Sequence, residues 1–321
     1  MKILCIQLRQ MGDAVTTTPA VRQLRALYPQ AEIVFMSEKL GANVYQNSPR
    51  ISRLWIVPRK FSAWAFVKLL WRVYRERFDI TIDFFSNSKS AQIAFASRAK
   101  KRIGFDFRFR RYAYTRRINI DGVTEYAPRS KNRLIESLGG DINDDKIEFF
   151  IDPSAQKAAK EFTDKYDFGD NTIAFCVVSR RKYKLLDPAF WAEVGDALIA
   201  AGYKLWFVYG PNEKPTASAV FERLTRQEGA IIDYNMLNVQ ELRAILERCA
   251  LYAGNDGGSK HLSVAAGIAS VTVFSVVRAE DWTQTGDVAF QIEDGVQPQA
   301  VIAACLSILR KKRGQNSEGR S

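Results

Sequence analysis

Apolar strand-like runs and helical stretches alternate along this sequence, and the alternation starts a second time about halfway through the chain. Parallel sheets covered by helices on both faces are the structures that such an alternation favours. Because 321 residues exceed what one hydrophobic core usually serves, we predict two α/β domains, with a boundary near residue 165. The predicted domains are residues 1–165 and 166–310, and a basic tail, 311–321, is expected to be disordered.

The apolar periodicity places the individual strands and helices. In the first half we predict strands near 3–8, 32–36, 54–57 and 79–84, and helices near 14–28, 61–77, 88–97 and 127–138. In the second half we predict strands near 172–178, 204–208, 230–233, 250–254 and 270–274, and helices near 188–200, from about 215, and near 239–249 and 259–267. Asn238 and Glu241 have the spacing of a capping box for one of these helices.

Positive charge is in excess, with 47 Lys and Arg against 35 Asp and Glu and a net charge of +12. This excess favours an anionic partner, which could be nucleic acid, an acidic membrane surface or a phosphorylated glycan. The sequence contains no apolar run of about eighteen residues and its first residues enter a strand directly, so we expect a cytoplasmic protein. Four scattered cysteines and one histidine give no metal-binding spacing, and we predict no metal and no other cofactor.

The turn after the first predicted strand combines Gly12 with Asp13 and leads into a helix. Ligands of open parallel sheets bind beyond the carboxyl ends of the strands, so this turn lies where a substrate is expected. Gly12 is expected to let the backbone turn sharply, and Asp13 then projects a carboxylate beside the start of the helix. Asp13 is therefore a candidate catalytic base, and helix capping is the structural alternative.

A run of cations follows the first predicted strand of the second half. It reads Ser179-Arg180-Arg181-Lys182-Tyr183-Lys184. Cations at the carboxyl end of a strand suit a diphosphate, because they can neutralise the charge of a departing nucleotide. A solvated basic loop is the alternative, since runs of charge usually lie on the surface.

A third strand-to-helix turn contains an acid, two adjacent glycines and the single histidine of the chain. Gly257 and Gly258 would let backbone N–H groups approach an anion at the amino terminus of the helix. Asp256 projects from the same turn, and His261 follows in the first turn of the helix. A lone histidine is more often structural than catalytic, so we assign His261 a supporting role in donor binding.

Two segments of the first half mix cations with aromatic residues. Residues 98–117 could bind a phosphorylated glycolipid through charge, or RNA through charge and stacking. Residues 61–78 are interpreted as a helix packed on the sheet, with contact to a membrane surface as the alternative. The candidate acceptor-binding residues are Gly12, Lys100, Lys101, Arg102, Arg108, Arg110 and Arg111.

The order and spacing of these turns resemble the ADP-heptose:lipopolysaccharide heptosyltransferases, glycosyltransferase family nine, across nearly the whole chain. One strong match runs from Met1-Lys2-Ile3-Leu4 through Gly12-Asp13 to Thr18-Pro19-Ala20 and on to Leu27-Tyr28-Pro29. The other runs from Gly254-Asn255-Asp256-Gly257-Gly258 through His261-Leu262 to Ala265-Ala266-Gly267. Supporting matches are Phe78-Asp79-Ile80 through Ile82-Asp83, Lys101-Arg102-Ile103-Gly104-Phe105, Lys184 through Asp187 to Trp191, and Gly210-Pro211-Asn212-Glu213.

This resemblance implies a GT-B fold, in which two Rossmann-like, doubly wound domains face each other across a cleft. The acceptor would bind mainly to the first domain and the nucleotide-sugar donor mainly to the second. By the resemblance, Asp13 matches the general base and Lys184 the lysine near the donor phosphates. Ser179 and Arg180 match a small polar pair beside the diphosphate.

The resemblance also assigns Asp256, Gly257 and Gly258 to the turn that contacts the donor. The sequence departs from the family pattern on this side, because Gly257 replaces a common Ser or Thr and Arg180 stands where Ser or Thr is common. Ser275 lies in a run that replaces the usual Phe-Gly-Pro-Thr.

The predicted function is an inverting, metal-independent transfer of heptose from ADP-heptose to the inner core, Kdo or heptose, of lipopolysaccharide. Asp13 would deprotonate an acceptor hydroxyl, while Lys184, with Arg180 and Arg181, would stabilise the departing ADP. The expected partners are the donor, an anionic acceptor of the Kdo–lipid A type and the inner face of the cytoplasmic membrane, without nucleic acid. Alternatives are a related transferase with another nucleotide sugar or a later core acceptor, a nucleic-acid-binding protein, or a non-catalytic scaffold of the same fold.

Overall fold

The computed structural model of the protein describes residues 1–275 and 277–318, with side chains up to residue 312. The chain divides into two compact units, Met1–Phe150 and Ile151–Ser321. Each unit contains one parallel six-stranded sheet with helices, so the predicted α/β fold is confirmed. Among the described residues, no helix has both the length and the apolar content needed to cross a membrane.

The first unit has six strands and six helices in its described residues. Its strands are β1 (Lys2–Ile6), β2 (Glu32–Glu38), β3 (Arg53–Val57), β4 (Ile80–Asp83), β5 (Lys101–Phe105) and β6 (Arg116–Ile118). Its helices are α1 (Met11–Val15), α2 (Thr18–Leu27), α3 (Lys39–Tyr45), α4 (Ala63–Arg75), α5 (Ser88–Ala96) and α6 (Ala127–Glu136). The strand order is β3-β2-β1-β4-β5-β6, with every neighbouring pair parallel.

All strands predicted for the first half are present, but the first predicted helix is divided into α1 and α2. The hydroxyls of Thr16 and Thr17 donate to carbonyls one turn back, at 2.9 and 2.7 Å, and Pro19 lies in the first turn of α2. These side-chain bonds compete with a continuous helix, and proline starts a new one. α3, β5 and β6 were not predicted, and β5 was missed because it begins with the cations Lys101 and Arg102.

The second unit repeats the architecture. Its strands are β7 (Thr172–Cys176), β8 (Lys204–Phe207), β9 (Ala230–Ile231), β10 (Leu251–Asn255), β11 (Ser270–Phe274) and β12 (Val288–Gln291). Its helices are α7 (Pro153–Lys165), α8 (Pro188–Ala200), α9 (Lys214–Phe221), α10 (Val239–Leu246), α11 (Gly258–Ala265), α12 (Ala279–Trp282) and α13 (Pro298–Glu318). The strand order is β12-β11-β10-β7-β8-β9, again entirely parallel.

The predicted elements of the second half are all present, and β12, α12 and α13 are additional. The predicted capping box at the start of α10 is confirmed. The Asn238 side chain accepts from the backbone N–H groups of Gln240 and Glu241, and the Glu241 carboxylate accepts from the Asn238 N–H at 2.8 Å. Three backbone donors at the start of the helix thus have partners.

The division between the units falls before α7, whereas the sequence placed a boundary near residue 165, at the end of that helix. α7 packs against α10, and the Asp152 N–H donates to the Gln240 side chain at 3.2 Å. The Phe162 ring of α7 also lies 5.7 Å from the Trp206 ring of β8. These long-range contacts assign α7 to the second unit, and no local pattern in the sequence reveals them.

α13 continues through Glu318, where the sequence predicted a disordered tail from Lys311. Val301, Cys305 and Leu309 recur at a spacing of four residues and are buried, so one face of the helix is anchored up to this point. The Lys312 ammonium then donates to the Ala250 carbonyl at 3.3 Å. Residues 319–321 of the predicted tail lie outside the described residues, as does Val276 in the run after β11.

In both sheets the first strand lies in the middle, and later strands of the chain are added first on one side of it and then on the other. The place where the side changes is called the switch point. β1 pairs with β2 on one side and with β4 on the other, and β7 pairs with β8 and β10 in the same way. Loops on the two sides of such a switch point diverge and leave a crevice at the carboxyl ends of the strands, where ligands of doubly wound sheets bind. We therefore expect ligand-binding residues at the switch points β1/β4 and β7/β10.

Candidate functional site

Asp13 lies at the switch point of the first sheet, in the helix α1 that follows β1. α1 begins at Met11 with Gln10 as its N-cap, so Asp13 belongs to the first turn of α1 and is not the capping residue. The carboxylate is half-buried and adds negative charge near the positive end of the helix dipole. The sharp turn expected at Gly12 occurs instead at Arg9, whose φ is 72°. Gly12 is buried inside α1.

A second carboxylate, Asp83, ends β4 on the other side of this switch point. It is fully buried and accepts hydrogen bonds from the backbone N–H groups of Phe85 and Ser86 at 3.1 and 2.8 Å and from the Tyr114 hydroxyl at 2.7 Å. Burial raises the pKa of Asp83, and these hydrogen bonds oppose the increase. The network fixes the start of the loop that follows β4.

Lys131 of α6 completes this cluster and was missed by the sequence analysis. Its ammonium donates to the Phe84 carbonyl at 2.6 Å. Burial lowers the pKa of Lys131, while the negative charges of Asp13 and Asp83 act in the opposite direction. Lys131 lies one turn from the buried residues at 127–128 and 134–135, so its helical spacing was the available signal.

A pocket of about 460 Å³ lies at the same carboxyl edge of the first sheet. Its lining comes from the last residue of β2 and from segments that follow β1, β3, β4 and β5. It carries several cations and one acid, Glu38. Such a lining suits an anionic group, because the positive charges converge on one concave surface. The cations in the lining are Arg9, Arg59, Lys60, Lys89 and Arg110.

At the switch point of the second sheet, Lys184 and Asp256 form an ion pair. The Lys184 ammonium lies 2.5 Å from an Asp256 carboxylate oxygen, and both side chains are largely buried. Lys184 ends a 3₁₀ turn after β7, and Asp256 directly follows β10. The fold therefore brings together two predicted site residues that are far apart in sequence.

The two strands at this point approach each other closely because of Gly254. A Cβ atom at this position would lie 2.1 Å from the Cys176 carbonyl oxygen, and the φ of Gly254 is 157°. The neighbouring Asn255 is fully buried, and its amide donates to the Val177 carbonyl at 2.9 Å. Only glycine fits here without moving the backbone, so the position of Asp256 depends on it.

The predicted glycines Gly257 and Gly258 form the start of α11, with Gly257 as the N-cap. Gly257 has an extended backbone, and a Cβ atom at this position would meet nothing within 4 Å. Open space in front of the helix amino terminus is compatible with an approaching anion. The backbone conformation of Gly257 itself does not demand glycine.

His261 is buried on α11, and its ring meets the Trp282 ring edge-on at 5.2 Å. Burial, helped by the positive charge of Lys260, lowers the pKa of His261 to about 3, so the ring is neutral at physiological pH. Lys260 was not predicted. Its fully buried ammonium donates to the Trp282 carbonyl, and burial lowers its pKa to about 8.

The remaining predicted donor residues lie in the loop between β7 and the 3₁₀ turn. Ser179 is half-buried, and its hydroxyl accepts from the Arg181 backbone N–H at 3.3 Å. Arg180 and Arg181 have exposed side chains. They follow the same strand end as Lys184, at the edge where the sheet offers its ligand crevice.

A sequence model described as glycosyltransferase family 9 (heptosyltransferase) matches residues 66–302, well over half of the chain. The chain belongs to this family. It is 22% identical to lipopolysaccharide heptosyltransferase 3 of Escherichia coli, over 86% of the chain and 84% of that protein. It is 20% identical to lipopolysaccharide core heptosyltransferase OpsX of Haemophilus influenzae, over 93% of the chain and 87% of that protein.

Solved structures of family members share the fold. A glycosyl transferase family 9 protein from Veillonella parvula superposes with a TM-score of 0.82 at 22% identity, covering 97% of both chains. E. coli ADP-heptose lipopolysaccharide heptosyltransferase II gives 0.76 at 17% identity, over 98% of this chain and 100% of that one. E. coli heptosyltransferase WaaC with ADP-2-deoxy-2-fluoro heptose gives 0.68 at 18% identity, over 90% and 92%. The predicted GT-B fold class is thus confirmed, and the protein is a glycosyltransferase.

In this family 9 protein, three of the predicted acceptor cations lie away from the carboxyl edge of the first sheet, where Asp13 is found. Lys100 precedes β5 and Lys101 and Arg102 begin it, so they lie at the opposite edge of the parallel sheet from the carboxyl ends. The Arg102 guanidinium is used internally, donating to the Ala113 and Ala99 carbonyls at 2.8 and 2.9 Å.

The other three predicted cations follow β5 and have different surroundings. Arg111 pairs with Asp106 at 2.6 Å, and Arg108 is exposed over the Phe109 ring. Arg110 lines the cationic pocket, and its guanidinium donates to the Ser86 carbonyl. Of the predicted acceptor cations, Arg110 is therefore the one that the fold brings to the pocket.

Proposed function

We propose that this protein transfers a heptose from ADP-heptose to the core of lipopolysaccharide. The observation that carries the proposal is the pairing of family membership with a charged side-chain cluster at each sheet's switch point. The relatives named above are lipopolysaccharide heptosyltransferases, and one related structure holds an ADP-heptose analogue. These names support heptose as the transferred sugar, ADP as the nucleotide of the donor and the lipopolysaccharide core as the acceptor.

In the proposed reaction Asp13 is the general base. As an acceptor hydroxyl attacks the anomeric carbon, Asp13 takes its proton and the bond to the ADP oxygen breaks. A single displacement of this kind inverts the configuration at the anomeric carbon. Lys131 and Asp83 both hold the loop that follows β4, on the other side of the switch point from Asp13.

Lys184 would stabilise the negative charge that develops on the departing diphosphate. The ion pair with Asp256 holds its ammonium at the carboxyl edge of β7, and the exposed Arg180 and Arg181 add positive charge nearby. Positive groups fixed in advance are effective because they need no reorganisation during the reaction. In this mechanism the protein's own cations neutralise the leaving group, and no metal ion is required.

The cationic pocket of the first unit would receive the phosphates or carboxylates of the acceptor. We place the acceptor here rather than at residues 100–102, because the pocket lies at the same edge of the sheet as Asp13. An acceptor anchored in lipid implies a protein that works at the inner surface of the cytoplasmic membrane.

The test is an assay of the purified protein with ADP-heptose and a truncated core oligosaccharide. We expect a product one heptose heavier, with the inverted anomeric configuration by NMR, and undiminished activity in the presence of EDTA. Retention of configuration, or loss of activity on chelation that added metal restores, would contradict the mechanism.

The donor is tested separately by thermal unfolding with a panel of nucleotides. A ligand that binds only the native state raises the unfolding temperature in proportion to its affinity and concentration. ADP and ADP-heptose should raise it more than UDP, GDP or CMP at equal concentrations. A larger shift with another nucleotide would identify the related transferase with a different donor.

A further inference from the structure

One surface of the first unit combines exposed aromatic rings with cations and plays no part in the proposed chemistry. α4 buries Leu69 and Val73 in the core, while Trp64 and Trp71 point outward with 67% and 59% of their surface exposed. α4 also contains Lys68, Arg72 and Arg75 and no acidic residue. A helix that is apolar on both faces and flanked by cations is unusual for a surface in contact with water alone.

The outward rings and cations of α4 contact one another. The Lys68 ammonium lies 5.3 Å from the centre of the Trp64 ring, and the Arg75 guanidinium lies 5.9 Å from that of Trp71. Trp71 also stacks on Tyr74, with ring centres 5.7 Å apart. The side chains therefore form one surface and are not scattered single exposures.

This surface continues onto neighbouring elements. The Arg98 guanidinium, just after α5, donates to the Tyr74 hydroxyl at 3.4 Å. Phe95 of α5 meets Tyr112 edge-on at 5.7 Å, and each of these rings is 53% exposed. Arg102 lies 5.9 Å from the Phe95 ring, which adds a further cation.

We propose that this surface docks the protein on the anionic face of a phospholipid bilayer. Tryptophan and tyrosine rings favour the zone between lipid headgroups and acyl chains, and lysine and arginine are attracted to anionic headgroups. A second copy of this chain fits less well, since it would bring the same positive charges together. We call this surface the membrane face: Trp64, Lys68, Trp71, Arg72, Tyr74 and Arg75, with Phe95, Arg98 and Tyr112 beside them.

A pocket of about 460 Å³ at the end of α4 gives the membrane face a site for a headgroup phosphate. It is lined by Lys2, Trp71, Arg72, Arg75 and Glu76. Glu76 is already paired with Lys2 at 3.0 Å, and Arg53 contacts it at 2.8 Å. Arg72 and Arg75 therefore supply positive charge that this acid does not cancel.

The start of α4 adjoins the proposed acceptor pocket. Phe61 lines that pocket and meets Phe66 of α4 edge-on at 5.5 Å. A glycolipid in the same bilayer would therefore present its phosphorylated sugars close to the pocket cations. This last step rests on the proposed function, whereas docking on the bilayer does not.

Vesicle sedimentation tests the proposal directly, with vesicles of phosphatidylethanolamine and phosphatidylglycerol compared with phosphatidylcholine alone. We expect binding to the anionic vesicles and little binding to the neutral ones. The Trp64→Ala/Trp71→Ala variant should bind about tenfold or more weakly, since both rings lose their contact with lipid. Both side chains are exposed, so the variant should unfold at the temperature of the wild type.

A matched control removes exposed apolar side chains elsewhere. The Ile56→Ala/Met236→Ala variant loses residues that are 60% and 48% exposed and should bind within about twofold of wild type, the range expected for surface changes away from a binding face. The proposal is overturned if the wild-type protein does not bind anionic vesicles. It is also overturned if the two double variants bind these vesicles with the same affinity. Self-association that Trp64→Ala/Trp71→Ala abolishes, without vesicle binding by the wild type, would assign the face to a second copy.

Transfer to a water-soluble core oligosaccharide separates this proposal from the proposed function. The tryptophan variant should keep its rate on the soluble acceptor and lose rate on an acceptor embedded in vesicles. A wild-type protein that binds vesicles and transfers no heptose would refute the proposed function and leave the membrane face intact.

Discussion

The two switch points carry the same kinds of side chain in different arrangements. In the second unit Lys184 and Asp256 form a direct ion pair at 2.5 Å. In the first unit Lys131 donates to the Phe84 carbonyl, and the charges of two carboxylates, Asp13 and Asp83, act on it. A lysine held by one acid suits the binding of phosphate, whereas two acids near one lysine suit the acceptance of a proton. In the proposed mechanism, two similar folds thus serve different chemistry through a few side chains.

The largest effect should follow Asp13→Asn, which keeps the shape and removes the proton acceptor. General base catalysis contributes about 100- to 10,000-fold, so turnover at saturating donor and acceptor should fall by that factor. Asp121→Asn, at an exposed residue of the same unit, is the control and should leave turnover unchanged. An Asp13→Asn enzyme that keeps more than about a tenth of wild-type turnover would exclude Asp13 as the base.

Next in size should be Lys184→Met, which removes the cation proposed to meet the departing diphosphate. Loss of one such stabilising group costs about 100- to 1,000-fold in turnover. Lys182→Met changes an exposed lysine in the same 3₁₀ turn and should have little effect. If both variants lose the same activity, positive charge in the loop matters and the position of Lys184 does not.

Smaller effects should distinguish the two edges of the first sheet. Arg59→Gln/Lys60→Gln removes two pocket cations and should raise the KM for the acceptor about tenfold, because charge-assisted contacts are lost, with little change in kcat. Lys100→Gln/Lys101→Gln alters the opposite edge and should leave the KM unchanged. A raised KM for Lys100→Gln/Lys101→Gln, with an unchanged KM for Arg59→Gln/Lys60→Gln, would place the acceptor at residues 100–102 instead.

The smallest effect on catalysis should come from His261. Because burial lowers its pKa to about 3, the ring does not titrate near neutral pH, and His261→Gln should leave the shape of the pH–rate profile unchanged. Stability should respond instead. The unfolded chain takes up a proton below about pH 6.5, so wild type should lose up to about 1.4 kcal/mol per pH unit as the pH falls from there toward 3. Chemical denaturation should show a shallower loss for His261→Gln; an equal loss would mean that the histidine is protonated in the fold.

Much of the fold could be predicted from the sequence, because buried parallel strands are nearly continuous apolar runs. The strand β5 could not be predicted in this way, because its first residues, Lys101 and Arg102, are charged. The membership of α7 in the second unit depends on contacts with α10 and β8 that no local window contains.

The positions of candidate site residues in the fold were predictable where the residues follow strands, as Asp13, Lys184 and Asp256 do. Lys131 and Lys260 were missed because each lies within a helix, where a lysine ordinarily marks the solvated face. The edge of the sheet on which residues 100–102 lie was not predictable, because charge alone does not tell which end of a strand it flanks. The direction of β5 decides this, and only the fold supplies it.

In the proposed mechanism the second unit holds the donor phosphates, while Asp13 of the first unit acts on the acceptor. Measuring the ADP affinity of Asp13→Asn and Lys184→Met by calorimetry tests it most directly. This mechanism predicts that Asp13→Asn binds ADP with wild-type affinity. Lys184→Met should bind ADP at least about tenfold more weakly, because one charge-assisted contact is lost. Equal weakening in both variants, or weakening in Asp13→Asn alone, would contradict it.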